Sequence, residues 1–334
     1  MKKLYLSIVV PVYQGELYLA KLIEELEETR VYIQRNIPSL SLIECIFVID
    51  ECKDNSQRLL QSFKKTNNWI HVIELSKNSG QHAATVAGIL HSSGDWIITI
   101  DEDLQHRPKN IIPILKTCLK SNSDICYAHS IKKIHSSLVR DKITMSFKKI
   151  IAYLSSNPHV QKFSSFRCIR GSIARGAAAT FGVDGYFDVT LSWFTDRIVS
   201  TKLEMEDIRN KYSSNKSGYS IWSLVKHGKR LILSSKLKFL RLIILAGMLA
   251  FLISIFYSFW VILQLFLGNN LEIRGWTSTI ISIYFFGGLS CLFLGIIIET
   301  ISEILLKSKG KPAFFVVDRS TDIILKEALK DESL

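Results

Sequence analysis

The sequence predicts an α/β fold with a mostly parallel sheet, followed by an interfacial helix and two transmembrane helices. Three observations predict it. Short apolar runs, near-continuous rather than alternating, recur between segments of helical periodicity, the pattern of strands buried on both faces. Two stretches, Leu242 to Leu271 and Gly275 to Ile298, carry no charge, and each exceeds the roughly 20 residues that a helix needs to cross a hydrocarbon core of about 30 Å. Lysines and arginines crowd the two ends of that apolar region and leave its middle nearly bare.

The strands are read in order at Leu6 to Val10, Cys45 to Ile49, Ile70 to Leu75, Trp96 to Ile100 and Ile125 to Ala128. Lys2-Lys3 followed by an apolar run looks like a leader, but the run is short, ends at Pro11 and has no small-residue cleavage site, so it reads as the first strand. Helical patterns separate the strands at Leu17 to Gln34, Ser56 to Thr66, Gln81 to His91 and Pro108 to Ser121. Further helices are expected at Lys142 to Leu154 and Gly171 to Phe181. Alternating strands and helices build a parallel sheet covered by helices, and such sheets bind ligands beyond the carboxyl ends of their strands.

Beyond Ser213, the spacing of Ile221, Leu224, Val225 and Ile232, with lysines interleaved, predicts an amphipathic helix lying in the membrane interface. The expected divisions are a soluble domain over 1–218, juxtamembrane helices over 219–240, spans over 241–267 and 277–301 around an external loop at 268–276, and a tail over 302–334 with a short strand at Ala313 to Val317.

The net charge is +12, with 48% apolar residues. Disorder is excluded by that apolar content. A basic chain of this kind would fit a nucleic-acid binder, but the excess is local. Lys226, Lys229, Arg230, Lys236, Lys238 and Arg241 precede the first span, and Lys307, Lys309 and Lys311 follow the second, while the turn between them holds only Glu272 and Arg274. By the positive-inside rule both flanks, and the soluble domain, are cytoplasmic, and the charge is membrane-facing. The six cysteines show no C-x-x-C spacing, which argues against a zinc site or a disulfide framework.

Chemistry is concentrated after the strand Trp96 to Ile100, where the chain reads Asp101-Glu102-Asp103-Leu104-Gln105-His106. Residues i and i+2 of an extended chain point the same way, so Asp101 and Asp103 converge. Paired carboxylates suit a hard cation such as Mg²⁺ or Mn²⁺, which keeps positions open for phosphate oxygens. Asp50 ends the second strand at the same sheet edge and is a candidate acceptor for a base or ribose, while Asp54 and Asn55 are read as caps for the following helix.

The segments VVPVYQGE, ECIFVIDECKDNS, LSKNSGQHAATVAGI, GDWIITIDEDLQHRP, SSFRCIRG, NKSGYSIWSLVK and GIIIETISEILLKSKGKPAFFVVD occur in this order. Together they resemble glycosyltransferase family 2, and more narrowly its polyprenyl-phosphate branch. The resemblance implies a GT-A-type nucleotide-sugar-binding domain and an inverting, metal-dependent transfer from a nucleotide sugar to a polyprenyl phosphate at the cytoplasmic membrane face. It implies a nucleotide site lined by Pro11, Tyr13, Glu16, Asp50 and Gln81, and a metal at Asp101 and Asp103, the latter as direct ligand. Lys142 and Ser146 fall where the dolichol-phosphate branch carries an Arg-x-x-x-Ser pair for the acceptor phosphate. Arg167, Arg209 and Lys216 are candidates for phosphate contacts, and association of copies through the hairpin and the C-terminal strand is an expectation. Ile49, Glu51 and Cys52 replace Asp, Gly and Ser of the usual motif, and Glu102 replaces Ala. These departures keep open a catalytically silent membrane adaptor. A processive polysaccharide synthase would need a Q-x-x-R-W motif and more spans, which the sequence lacks.

Overall fold

The computed structural model describes residues 3–131, 157–183, 185–205 and 275–319, with Phe256, Phe259, Trp260, Leu263 and Leu267. Strands and helices alternate as expected: β1 (Leu4–Val12), α1 (Glu16–Asn36), β2 (Leu40–Ile49), α2 (Ser56–Thr66), β3 (Ile70–Leu75), α3 (Gln81–Leu90), β4 (Trp96–Thr99), a 3₁₀ turn at Pro108–Asn110 leading into α4 (Ile111–Lys120), and β5 (Ile125–Ser130). There follow β6 (Arg167–Arg170), α5 (Gly171–Ala179), α6 (Phe187–Leu191), β7 (Ile198–Leu203), α7 (Trp276–Ser308) and β8 (Val316–Val317). The expected helix at Lys142 to Leu154, the interfacial helices over 219–240 and nearly all of the span over 241–267 lie outside the described residues.

These strands form one sheet in the order β7-β5-β6-β4-β1-β2-β3-β8. β1 pairs in parallel with both β2 and β4, whereas β6 and β8 run antiparallel to their neighbours. The apolar runs are continuous because each strand has a core on either face. Ile8, Val10 and Val12 of β1 pack with Leu19, Leu22 and Leu26 of α1 and Ile111 and Leu115 of α4. Val9 of the same strand packs with Val86 and Ala87 of α3 and Ala174 and Ala177 of α5 on the other side. α3 lies close to the sheet because Gly88 faces it: a Cβ there would stand 2.4 Å from Val9 Cγ1.

α7 contains the window Phe285–Ser302, of mean hydropathy 1.8 and with none of it buried, so among the described residues it is the one helix long and apolar enough to cross a membrane. It begins where the second span was expected and runs past its predicted end. The C-terminal strand is shorter than expected and pairs with Glu74 and Leu75 of the chain's own β3. The Ser76 N–H donates to Phe315 O at 2.9 Å, and Arg319 Nε reaches Glu74 at 2.8 Å. The β3 edge is therefore covered by a strand of the same chain.

Candidate active site

Strand order reverses at β1: β2 and β3 lie on one side of it and β4 on the other. Open α/β sheets have their crevice at such a switch point, outside the carboxyl ends of the strands. A cleft of about 350 Å³ lies there, lined by residues that end or follow β1 (Pro11, Val12, Tyr13), β2 (Asp50) and β4 (Asp101, Glu102, Asp103), together with Asn78, Gly80, Gln81 and Ala84.

β2 delivers Asp50, whose N–H donates to Val12 O at 2.8 Å. Its buried carboxylate accepts the N–H groups of Ser79 at 2.6 Å and Gly80 at 2.8 Å. Burial pushes its pKa above the ordinary carboxylate value, against the opposite pull of those two N–H groups. Glu51 follows with φ 55°, the left-handed region that glycine adopts most readily. Its carboxylate accepts the Asn78 N–H at 3.0 Å. Asp50 and Glu51 thus pin the loop that leads into α3, where Gly80 itself has φ 87°.

β4 delivers the acidic segment. Asp101 accepts from Gln81 Nε2 at 2.6 Å and from Ser165 Oγ at 2.7 Å, and its own N–H donates to His106 Nδ1 at 3.2 Å. The imidazole stacks on Phe166 with ring centroids 5.0 Å apart. Asp103 accepts from the N–H and the side-chain amide of Gln105, at 3.2 and 2.7 Å. Leu104, directly after Asp103, is buried with φ 59°, so the chain turns sharply there, and both aspartates line the cleft. Glu102 points toward β1 and accepts the N–H groups of Tyr13 and Gln14, both at 3.1 Å. Burial lifts its pKa to about 7, opposed by those N–H groups and reinforced by Asp103 and Asp54.

Among the described residues no three His, Cys, Asp or Glu side chains converge as a metal cage. The donors present are the carboxylates of Asp101 and Asp103, hard oxygens at the cleft. Such a set fits a Mg²⁺-like ion that takes its remaining ligands from a bound phosphate.

The sequence profile described as Glycosyl transferase family 2 matches residues 7–178, more than half of the chain, and these include the residues that line the cleft. The chain belongs to glycosyl transferase family 2. Its fold is correspondingly a GT-A-like α/β domain with a mostly parallel mixed sheet. The bactoprenol glucosyl transferase of Shigella phage SfX is 25% identical over 320 residues, covering 94% of this chain and 99% of that protein. The uncharacterized glycosyltransferase YkcC of Bacillus subtilis is 25% identical over 328 residues, covering 98% of each. Among solved structures, S. aureus TarS 1-349 in complex with UDP-GlcNAc aligns with 15% identity and a TM-score of 0.42, over 71% of this chain and 68% of that one.

In this glycosyltransferase the cleft gathers Pro11, Tyr13, Asp50, Gln81, Asp101 and Asp103. Two other expected residues stand elsewhere. Glu16 is exposed and turns to α2, accepting the N–H and side-chain amide of Asn55 at 3.0 and 2.9 Å. It starts α1 and is drawn to the N-terminus of α2 rather than to the cleft. Arg167 is not at the cleft either. It is 2% exposed, donates from Nε to Thr99 Oγ1 at 2.9 Å, and pairs with the equally buried Asp188. Its position on β6, inside the sheet, commits its guanidinium to Thr99 and Asp188. Lys142, Ser146, Arg209 and Lys216 lie outside the described residues.

Asp54 caps as expected, accepting the Ser56 N–H at 3.1 Å, and also takes the Glu16 N–H at 3.1 Å. Asn55 occupies the cap position of α2 but makes no side-chain cap. Sequence reasoning missed Asn78, Gly80 and Ala84 as cleft residues and Ser165 as a partner of Asp101. The segment-wide motif around 78–84 carried a signal for the first three; Ser165 becomes a neighbour of Asp101 only through the antiparallel pairing of β6 with β4.

Cys52 is half-buried, with Sγ 3.5 Å from Val12 O, and burial beside Glu102, Asp54 and Asp50 pushes its thiol up to about 12. Only the thiolate is nucleophilic. Iodoacetamide labelling of Cys52 in the native protein, followed by mass spectrometry at pH 8, is therefore expected to run on the order of a thousandfold slower than for an unshifted thiol. Labelling at the rate of a surface cysteine would show that the 50–54 turn is open.

Proposed function

We propose that this glycosyltransferase transfers a sugar, with inversion, from a nucleotide diphosphate sugar, taken to be a UDP-sugar, to a polyprenyl phosphate, taken to be undecaprenyl phosphate, at the cytoplasmic face of the plasma membrane. The observation that carries the reading is the cleft at the β1/β4 switch point, where Asp101 and Asp103 stand opposite the Pro11 to Tyr13 wall. The full-length similarity to bactoprenol glucosyl transferases supports the lipid acceptor, and α7 supports attachment to a membrane.

A polyprenyl phosphate needs no strong base. Its second pKa is about 6, so near pH 7 it is largely dianionic and acts as its own nucleophile once positioned. A phosphate oxygen forms a bond to the anomeric carbon while the bond from that carbon to the diphosphate breaks, and the nucleoside diphosphate leaves with the electron pair. Asp103 and Asp101 would hold Mg²⁺ or Mn²⁺, which when bound offsets charge on the departing diphosphate. Gln81 and Ser165 fix the Asp101 carboxylate, and the wall at Tyr13 faces the nucleoside end of the donor.

Purified protein in undecaprenyl-phosphate liposomes, given a panel of labelled nucleotide sugars, is expected to label the organic-phase lipid with one donor. EDTA should stop the reaction, and Mg²⁺ or Mn²⁺ should restore it. No labelled lipid with any donor would sink the proposal.

A further inference from the structure

Glu102 takes the place of a small residue in the family pattern, and its surroundings explain how the chain accommodates it. Its two carboxylate oxygens take the consecutive N–H groups of Tyr13 and Gln14, Oε2 from the first and Oε1 from the second, both at 3.1 Å. The turn closes tightly on the acid: a Cβ at Gly15 would lie 2.4 Å from Glu102 Oε2. The same turn is tied to α2 from its other side by the Gly15 N–H, which donates to Ser56 Oγ at 3.0 Å. Across the cleft, the two loops on either side of Glu102 carry the wall residue Tyr13 and the acids Asp101 and Asp103.

Resting on the function proposed above, we infer that Glu102 is a positioning residue that locks the β1–α1 turn to the acidic loop after β4, so that the nucleoside-facing wall and the metal-facing carboxylates form one rigid donor site. A nucleoside diphosphate with its cation spans both halves. Without the lock each half remains, but their spacing is no longer fixed in advance, and binding must order it. The lock therefore couples cation and nucleotide: each binds better when the other is present, by a factor that Glu102 sets.

UDP binding to the full-length protein in detergent, measured by calorimetry with and without Mn²⁺, tests the inference on the wild type, Glu102→Ala and Glu102→Gln. Contacting groups couple by about 0.5–3 kcal/mol, so Glu102→Ala is expected to weaken UDP binding about tenfold or more with Mn²⁺ present and less than about threefold in its absence. Glu102→Gln, which keeps one acceptor oxygen, should fall between. Hydrogen exchange gives a ligand-free readout: the Tyr13 and Gln14 amides should exchange faster in Glu102→Ala while amides in β1 stay protected. Unchanged Mn²⁺ enhancement in Glu102→Ala, or unchanged exchange at Tyr13 and Gln14, would overturn the lock. Wild-type protein that binds no UDP under any condition would instead count against the proposed donor, and the exchange measurement would still decide the lock.

Discussion

Asp103→Asn is expected to lower kcat/KM for sugar transfer by at least about a hundredfold, as loss of a group that compensates charge in a transition state does. The reason lies in the sign of the cleft. Its described lining brings Asp50, Asp101, Glu102 and Asp103 around a single space, and no lysine or arginine is among those lining residues. A diphosphate entering such a space is repelled unless a cation is held between the two sets of oxygens. Asp101 is engaged by Gln81 and Ser165, while Asp103 is bound to the adjoining Gln105 within its own turn. An asparagine at 103 still accepts the Gln105 N–H, so the fold should be retained and thermal melts should superimpose. The measurement is initial rate against donor concentration at several Mn²⁺ levels. Loss of rate that excess Mn²⁺ partly restores is the expected pattern, and full activity of Asp103→Asn would remove the metal role.

Disruption of the Arg167 and Asp188 pair is the largest expected effect on stability. Arg167→Met or Asp188→Asn should each destabilise the domain by about 3–5 kcal/mol, because removing one partner leaves the other as a buried, unpaired charge. Both residues are 2% exposed. Tyr127 donates to Asp188 at 2.9 Å, the guanidinium lies 5.2 Å from the Phe187 ring centroid, and Arg167 Nε is committed to Thr99. Burial and Asp188 together hold the Tyr127 phenol well above its ordinary pKa, so the hydroxyl stays protonated and donates at every accessible pH. Arg167→Lys should rescue little, since an ammonium cannot reach Thr99 and Asp188 with one planar fork. The combined change of Arg167→Met with Asp188→Leu should recover much of the loss. Urea titration followed by tryptophan fluorescence reads the order. If Arg167→Met matches wild type, the pair does not hold the core. The effect reaches the cleft through a chain of contacts: Thr99 donates to Ser165 O at 2.7 Å, and Ser165 donates to Asp101.

Some positions were legible because local chemistry leaves few choices. The run Cys45 to Ile49 is buried throughout as a strand, since both faces of the sheet are covered there and its apolar residues need not alternate. Asp50, Asp101 and Asp103 directly follow such runs, so the sheet itself carries them to one edge. Glu16 and Arg167 read differently because their motif neighbours say nothing of long-range partners. Glu16 lies three residues beyond the wall residue Tyr13, and its carboxylate is engaged by Asn55 instead. Arg167 alternates along β6, and the face it occupies meets α6 and Asp188, not solvent.

The sequence by itself determined the alternation of strands and helices, the acidic pair at the end of β4 and an apolar helix after the α/β domain, because burial and periodicity are local properties. Only the tertiary structure decided what Glu51 and Glu102 do. In the sequence both are departures from a pattern. In the fold each accepts backbone N–H groups of a loop distant along the chain. The pairing of β1 with β4 brings Glu102 to its partners and that of β2 with β3 brings Glu51 to Asn78, and no local pattern encodes a hydrogen bond that spans two loops.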